Sequence, residues 1–360
     1  MPINCKKQTL PTIEKEQIDL LARLSNASGV SGDEAEVRKI IREEITPFAD
    51  SVETDVMGNL IAQKNAKGKC ALHVLIAAHM DEVGFMLVDK DSEGIYRFSL
   101  IGGIDERSLA GKQVLIGKDH LPGVIGACPV HLSTKEEREC ILKLESLRID
   151  AGPGCTDLQL GSYAVFATRF QAFGPSLIGK ALDNRLGVAT LIELLKHCPE
   201  HIHLTAAFTV QEEIGARGAA AVAYNHKPDL AFILDSTPAM DQPSYDNAEN
   251  TQYRTRLGFG PAIYAMDSNT LYDHRMVEFL KTTATENGIP YQIRQPGGGG
   301  TDAGAVHLSQ DGIPTATISV PGRYAHTAVM IARKSDWENT LRLLTASLDS
   351  VSQGIFKNER

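Results

Sequence analysis

The sequence predicts an α/β fold in which a mostly parallel, mixed sheet is flanked by helices and carries a small inserted all-β domain. Apolar strand-like runs alternate with helical patterns up to about residue 82 and again from about residue 174. This alternation is typical of parallel sheets covered by helices. Between these limits, short strand-like runs alternate with glycine turns and long helical patterns are absent. The chain of 360 residues has the length of two domains, which we place at 1–82 with 174–360 and at 83–173.

The first part begins with two amphipathic helices within residues 13–46. Ile18, Leu21 and Leu24 recur at helical spacing in the first helix, and a similar run begins at Val37 in the second. Three strand-like runs follow, at Val52–Val56, Leu60–Lys64 and Ala71–Ala78. The last of them is almost wholly apolar, as expected of a central buried strand.

The remaining elements are predicted from the same patterns. In the insertion we expect strands at Gly84–Val88, Tyr96–Leu100, Gln113–Ile116, Gly123–Ala127 and Ser162–Phe166. After it we expect strands at 202–210, 229–235, 262–266, 290–294 and 314–319. The predicted helices lie at 182–197, 216–223, 270–287 and 334–352. We find no internal repeat and no low-complexity segment.

Composition and charge exclude several classes of protein. The chain has 42% hydrophobic and 22% charged residues, which is typical of a globular protein, and a net charge of −9. An acidic chain without a basic cluster is a poor candidate for binding nucleic acid or an anionic membrane. The six cysteines form no Cys-x-x-Cys pair, and neither a signal peptide nor a long apolar span is evident. We therefore expect a soluble, cytoplasmic protein with reduced thiols.

His79 and Asp81 stand at the end of the apolar strand 71–78. Residues two apart in a strand point to the same side, and open α/β sheets bind ligands at the carboxyl ends of their strands. We expect His79 to bind a metal ion and Asp81 to hold its other ring nitrogen. The alternative is a structural His–Asp pair with no ligand.

Three further carboxylates fall where elements begin or end. Asp183 lies at the start of a predicted helix, where it is either an N-cap or a ligand shared by two metal ions. Glu212 and Glu213 follow the strand 202–210. Adjacent carboxylates diverge, so one of them can bind a metal ion while the other acts as a general base. The alternative for this pair is a solvated acidic loop.

Asp235 and His326 complete the pattern. Asp235 ends one predicted strand, and His326 follows another. Either residue alone could cap a turn or lie on the surface. Four strand ends that carry His, Glu, Asp and His, however, are typical of a two-metal hydrolase, in which paired ions hold a nucleophilic water molecule and polarise a carbonyl.

Other histidines are weaker candidates. His201 and His203 lie at the starting end of their predicted strand, away from the expected site. His307 follows the glycine run 297–300 and is expected in a helix near the site. The glycine run indicates either a close approach of backbone to substrate or a flexible turn.

At these positions the chain resembles the tetrahedral aminopeptidases, metallopeptidase family 42 of clan MH. That family includes glutamyl and deblocking aminopeptidases and some proteins labelled endoglucanases. The resemblance covers nearly the whole chain and rests on Gly29-Val-Ser-Gly, His79-Met-Asp-Glu-Val-Gly-Phe, Gly123-Val-Ile-Gly-Ala, Gly179-Lys-Ala-Leu-Asp-Asn-Arg, Gln211-Glu-Glu-Ile-Gly, Gly298-Gly-Gly-Thr-Asp-Ala-Gly and Arg323-Tyr-Ala-His.

The resemblance implies a site for two divalent metal ions per subunit, either zinc, cobalt or manganese. By position, Asp183 bridges the two ions. His79 and Asp235 complete one ion site, and Glu213 and His326 complete the other.

The resemblance also implies an aminopeptidase that removes N-terminal residues from short peptides with metal-activated water. Glu212 is then the general base, and Asp81 orients His79. In this family the peptide bond that corresponds to Asp183–Asn184 is often cis, and we expect the same here.

The resemblance also implies a role for each of the two predicted domains. It implies that residues 1–82 and 174–360 form a zinc-peptidase-like catalytic domain. Residues 83–173 would then form a β-barrel-like dimerisation or lid domain. Dimers of the family assemble into a hollow tetrahedral dodecamer that admits peptides.

One segment departs from the family pattern. Relatives commonly read His-Ser-Pro-x-Glu where this chain has His326-Thr-Ala-Val-Met330, which changes the expected shape of the substrate pocket.

A related carboxypeptidase or deacylase is disfavoured because the β-rich segment lies between Asp81 and Asp183 and not after the fourth ligand segment. Glycoside hydrolysis leaves the histidines unexplained. A metal-free binding protein would have no need of the full ligand set.

Overall fold

A computed structural model describes residues 10–68, 71–155, 158–244, 250, 254–352 and 354–355. Its α-helices are α1 (Lys15–Asn26), α2 (Ala35–Ile45), α3 (Lys135–Glu139), α4 (Leu182–Lys196), α5 (Arg217–His226), α6 (His274–Glu286), α7 (Ala303–Val306) and α8 (Lys334–Ser350).

The strands fall into two groups. Those of the large sheet are β1 (Ser51–Thr54), β2 (Leu60–Lys64), β3 (Leu72–His79), β10 (Gln171–Phe173), β11 (Ser176–Gly179), β12 (Ile202–Thr209), β13 (Leu230–Pro238), β14 (Ala262–Ile263), β15 (Gln292–Ile293), β16 (Thr315–Arg323) and β17 (Met330–Arg333). Those of a closed barrel are β4 (Gly84–Ser92), β5 (Ile95–Ile101), β6 (Gln113–Ile116), β7 (Leu121–Gly126), β8 (Arg148–Asp150) and β9 (Tyr163–Phe166).

The large sheet has a parallel centre and antiparallel edges. Its main strand order is β1-β2-β12-β3-β13-β16-β17-β11-β10, with β14 paired to β16 and to β15. The central strands β12, β3, β13 and β16 pair in parallel, whereas the pairings of β1 with β2, β2 with β12, β16 with β17, β17 with β11 and β11 with β10 are antiparallel. The prediction of a mixed sheet flanked by helices is confirmed, but the expectation that it is mostly parallel is wrong outside its centre. Short connections favour the antiparallel pairing of β1 with β2, of β10 with β11 and of β16 with β17.

Helix packing follows the apolar patterns of the sequence. Leu21 and Leu24 of α1 and Val37 of α2 are fully buried, as their spacing predicts. Helix α4 is buried along almost its whole length, because it packs against β3 and β13 and also contacts α1, α2 and α8. Helices α5 and α7 contact each other and pack on β12 and β16.

The barrel closes in the order β4-β5-β8-β7-β6-β9 and has a hydrophobic core of its own. Phe85 lies at its centre, with the rings of Phe98 and Phe166 edge-on at centroid distances of 5.3 and 5.1 Å. A second, larger core lies between the sheet and its helices. Each core is held by its own buried apolar side chains, and the barrel corresponds to the predicted β-rich insertion.

Several elements were not predicted from the sequence. These are strands β8, β10, β11 and β17 and the short helix α3. Strands of three or four residues have too few positions for an alternating pattern to be recognised. The described cysteines, at 128, 140, 155 and 198, are free thiols, while Cys5 and Cys70 lie outside the described residues. Within the described part of the chain, no helix is both long enough and apolar enough to cross a membrane.

Candidate metal centre and its cavity

His79 and Asp235 are brought together by the register of two parallel strands. His79 is the last residue of β3, and Ala78 pairs with Leu234 of β13, so Asp235 emerges beside His79. The distance from His79 Nε2 to Asp235 Oδ1 is 3.4 Å, and both residues are buried. The register of these two adjacent strands therefore brings an imidazole and a carboxylate to one point. Strand β13 continues to Pro238, so the expectation that Asp235 ends its strand is wrong.

Asp183 lies between the two predicted histidines. Its Oδ1 is 3.3 Å from His79 Nε2, and its Oδ2 is 3.5 Å from His326 Nε2. The first turn of α4 is capped by Asn184, whose Oδ1 accepts a hydrogen bond from the Gly187 N–H at 3.1 Å. Asp183 faces the two histidines and not this turn, so the N-cap interpretation of Asp183 is wrong. The peptide bond between Asp183 and Asn184 is cis, as predicted. Asn184 donates a hydrogen bond from Nδ2 to the Leu234 carbonyl, 2.8 Å away, which ties this turn to the strand that carries Asp235.

Glu212 and Glu213 occupy a loop that is held by Asp81. The Asp81 carboxylate accepts hydrogen bonds from the backbone N–H groups of Glu212 and Glu213, at 3.0 and 3.2 Å, and from the Ser31 hydroxyl at 2.6 Å. Its Oδ1 lies 3.5 Å from His79 Nδ1, which is longer than a normal hydrogen bond. The role of Asp81 in orienting His79 thus stays a prediction, and its contacts with the glutamate loop were not foreseen.

His326 is positioned by a residue of the β-rich insertion. Its Nδ1 lies 2.8 Å from the carbonyl oxygen of Gly103, which follows β5. When Nδ1 carries the proton and donates it to this carbonyl, Nε2 is left as a free ligand atom. Nε2 faces Asp183 and lies 3.4 Å from Glu213 Oε2. After His326, the chain turns at Thr327 and enters β17. The Thr327 hydroxyl lies 2.9 Å from the carbonyl oxygens of Tyr324 and Val329 and can donate its one proton to either.

These residues form two groups that share Asp183. In one, ligand atoms of His79, Asp183 and Asp235 all lie within 4.8 Å of one another. In the other, the same holds for Asp183, Glu213 and His326. Both groups offer imidazole nitrogen and carboxylate oxygen, the donors that zinc, cobalt and manganese accept. All five predicted ligand residues are therefore close together.

The crowding of carboxylates shifts their pKa values. Burial raises the pKa of Glu213 to about 8, with His326 opposing and Asp183 reinforcing the shift. Burial and the charge of Asp235 raise the pKa of Glu212 well above its usual range, although His79 opposes the shift. Burial alone would lower the pKa of His326, yet Asp183 and Glu213 raise it to about 10. Buried like charges of this kind are stabilised by cations.

The two groups lie in the wall of a cavity of about 890 Å³. Glu212 lines the cavity beside the ligand residues. Polar side chains from loops also line it, namely Arg254, Asn269, Arg294 and Thr301. Gly298, Gly299 and Gly300 also line it, which places the glycine run at the cavity as expected. His201 and His203 lie at the starting end of β12, as predicted. His307 lies just after α7, so the expectation that it belongs to a helix is wrong.

A buried ionic cluster connects the segment that carries His79 to the turn that carries Asp183. The Glu82 carboxylate accepts hydrogen bonds from Lys180 Nζ at 2.7 and 2.9 Å and from Arg185 Nη2 at 3.2 Å. Arg185 also donates to the backbone carbonyls of Met80 and Asp81. Burial lowers the pKa of Lys180 and of Arg185, while the charge of Glu82 opposes both shifts.

Four contributors to the site were not predicted: Ser31, Gly103, Asn184 and Glu82. Ser31, Asn184 and Glu82 lie within the quoted sequence motifs, so their positions gave a signal but their contacts did not. Gly103 had no signal beyond its glycine neighbour Gly102, because its contribution is a backbone carbonyl that any residue could supply.

Residues 58–343 match the M42 glutamyl aminopeptidase family. The chain belongs to this family.

Relatives within the M42 family are similar along almost their full length. A putative aminopeptidase of Acetivibrio thermocellus is 36% identical over 93% of this chain and 99% of its own. The glutamyl aminopeptidase of Lactococcus lactis is 30% identical over 95% of this chain and 99% of its own, and the lysyl aminopeptidase of Pyrococcus furiosus is 30% identical over 92% and 97%.

Solved structures of aminopeptidases share the fold. An aminopeptidase of the archaeon Desulfurococcus kamchatkensis superposes with a TM-score of 0.89 at 31% identity, covering 95% of this chain and 97% of that one. The Pyrococcus horikoshii TET1 peptidase, which can assemble into a tetrahedron or a large octahedral shell, superposes with a TM-score of 0.80 at 34% identity, covering 92% and 98%. The M42 chain is therefore a peptidase, a hydrolase of peptide bonds, and membership of this metallopeptidase family implies divalent metal ions.

We predict that Glu82→Gln destabilises the protein by about 3 kcal/mol, because it leaves two buried cations without a carboxylate. Urea unfolding followed by circular dichroism measures the change. Glu200→Gln is the matched control: its partner Lys67 is 72% exposed at the side chain, so its loss should cost less than about 1 kcal/mol. Equal effects of the two substitutions would contradict a structural role for the Glu82 cluster.

Proposed function

We propose that this M42 peptidase is a dinuclear metal-dependent aminopeptidase that removes N-terminal residues from short peptides. The observation that carries the proposal is the sharing of Asp183 between two groups of ligand atoms in the wall of one cavity. A carboxylate with one oxygen toward each group is what a pair of ions about 3.5–4 Å apart requires.

The residues present fit such a pair. His79 and Asp235 would hold one ion, Glu213 and His326 the other, and Asp183 both. The chemistry of this donor set supports the assignment, since nitrogen and carboxylate oxygen suit zinc, cobalt or manganese. The raised pKa values of Glu213 and Asp235, which burial causes and neighbouring carboxylates reinforce, support it too, because cations would relieve this repulsion.

Divalent ions in such sites polarise the scissile carbonyl and lower the pKa of coordinated water towards about 7. Glu212, which lines the cavity, accepts the proton of the attacking water and delivers it to the leaving amine nitrogen. Asp81 accepts hydrogen bonds from the backbone N–H groups of Glu212 and Glu213. It therefore fixes the position of the proposed base, Glu212, relative to the proposed metal ligand, Glu213. Asp81 also orients His79 in this proposal.

The same proposal extends to the domains and to assembly. We assign catalysis to 1–82 and 174–360, and dimerisation or a lid to 83–173. The second assignment is supported by exposed apolar side chains, which mark association surfaces when they occur close together: Val130 and Leu132 are each 70% exposed and Ile141 is 69% exposed. The assembly of the TET1 peptidase supports dimers that build a tetrahedral dodecamer. A cytoplasmic location stays a prediction.

We predict that the enzyme cleaves aminoacyl-p-nitroanilides that have a free amine and not their N-acetylated forms. Activity should vanish on chelation and return when zinc, cobalt or manganese is added separately. The assay is the release of p-nitroaniline after each reconstitution. Hydrolysis of acylated amino acids or of C-terminal residues in place of these substrates would favour the related deacylase or carboxypeptidase reaction and refute the proposal.

We predict that Glu212→Gln keeps its metal ions but loses roughly two to four orders of magnitude in kcat, the usual contribution of general acid–base catalysis. Metal content by elemental analysis and kcat on the best substrate are measured together. Glu278→Gln, at a side chain that is 60% exposed and pairs with Lys281, is the control for the same chemical change. Near wild-type turnover in Glu212→Gln would remove Glu212 from the role of base.

We predict that the purified chain, of 39.0 kDa, sediments as a dodecamer or as its dimer. Val130→Asp combined with Leu132→Asp should shift the distribution towards monomers, because it places charges on the exposed apolar surface of the insertion. Sedimentation velocity measures the masses, and Val56→Asp, at an exposed apolar residue outside the insertion, is the control. A monomeric wild-type protein would refute the assembly.

A further inference from the structure

We propose that Arg294, together with Arg254, forms a carboxylate-binding subsite that makes this enzyme prefer substrates with a carboxylate close to the scissile bond. This inference rests on the proposed aminopeptidase function and assigns the substrate class of the same site.

Arg294 is a buried cation that pairs with no anion of the described residues. Its side chain comes from the loop after β15, and the residue is 4% exposed. Its Nη2 donates to the Gly298 carbonyl at 2.8 Å and its Nε to the Thr237 hydroxyl at 3.3 Å, while its guanidinium lies 4.6 Å from the centroid of the Tyr264 ring. All of these partners are neutral. A buried charge normally has a counterion, and none of the described carboxylates supplies it.

Arg254 donates to the same backbone carbonyl as Arg294. Its Nη1 donates to the Gly298 carbonyl at 3.1 Å, so two guanidinium groups share one acceptor, and it too forms no ion pair within the described residues. The glycine run makes room for it: a Cβ at Gly297 would lie 2.5 Å from the Arg254 guanidinium carbon. Two like charges held side by side are unfavourable unless an anion joins them.

Both arginines face the cavity of the candidate metal centre. They line it together with Asp235 and Glu212. Thr237, the neutral partner of Arg294, is two residues beyond Asp235 on the same strand. Tyr264, over whose ring the Arg294 guanidinium lies, also lines the cavity. Burial raises the pKa of Tyr264 to about 12, and Asp235 adds to the shift while Arg294 opposes it. A bound molecule can therefore reach the ligand residues and the arginines at the same time.

A carboxylate is the anion that a peptide offers to such a site. Guanidinium groups bind carboxylates through paired, charge-assisted hydrogen bonds. Family membership does not decide the matter, because the glutamyl and the lysyl aminopeptidases described above are equally similar to this chain yet are named for opposite charges. The carboxylate can come from an acidic N-terminal side chain or from the C-terminus of a very short peptide.

The test compares substrates that differ only by one charge. L-glutamyl- and L-glutaminyl-p-nitroanilide have the same size, and Ala-Ala and Ala-Ala-amide differ only at the C-terminus. With the metal-loaded enzyme, we expect kcat/KM to be at least tenfold higher for the charged member of one pair. A preference in the first pair assigns the acidic side chain, and one in the second pair assigns the C-terminal carboxylate. Ratios near one, or below one, in both pairs would overturn the proposal.

The variants assign the effect to the two arginines. Arg294→Met should lower the preferred ratio at least tenfold, and Arg294→Lys should restore part of it, because a cation remains. Arg254→Met, at a half-buried residue, should lower the ratio less and provides a test if Arg294→Met does not fold. Arg97→Met, in the barrel and outside the cavity, is the matched control and should keep the wild-type ratio. A wild-type preference that survives in both folded methionine variants at 254 and 294 would overturn the assignment to these residues.

The assay separates this inference from the proposed function. Cleavage of neutral free-amine substrates with no charge preference would leave the aminopeptidase intact and refute the subsite. Absence of cleavage in the whole panel, with metal bound, would refute the aminopeptidase and the subsite with it.

Discussion

Repulsion among buried carboxylates is the constraint on which the rest of the site depends. Asp183, Glu213 and Asp235 converge with Glu212 at one edge of the sheet, where little water screens their charges. Burial is the main cause of the raised pKa values of Glu212, Glu213 and Asp235, and neighbouring carboxylates add to it. The pKa of Asp183 is lowered despite its burial, because His326 and His79 lie beside it. Such an arrangement persists only when the surrounding fold holds it, and divalent cations would offset its charge.

The fold holds the site through backbone groups and buried ion pairs. Asp81 accepts hydrogen bonds from two backbone N–H groups of the loop that carries Glu212 and Glu213. A hydrogen bond from Asn184 connects the turn of Asp183 to β13, and the Gly103 carbonyl orients the His326 ring. The Glu82 cluster joins the end of β3 to the same turn. Because Gly103 belongs to the β-rich insertion, the barrel contributes to the geometry of the site and not only to the surface.

The cavity contains side chains of both charges. Its wall contains the carboxylates of the candidate metal centre and also the guanidinium groups of Arg254 and Arg294. Relatives named for glutamyl and for lysyl residues are equally similar to this chain, so overall similarity to them does not fix a side-chain preference.

The sequence by itself determined the alternating α/β pattern, the β-rich insertion and all five candidate ligand residues. It could do so because burial imposes a periodicity on apolar residues, and because the ends of parallel strands are where ligands converge. The resemblance to family 42, and not the pattern of residues alone, placed Asp183 between the histidines. The tertiary structure decided the antiparallel edges of the sheet, the grip of Asp81 on the glutamate loop, the contact of Gly103 with His326 and the convergence of Arg254 and Arg294. These depend on contacts between residues far apart in the chain and on backbone groups, which leave no mark on residue type.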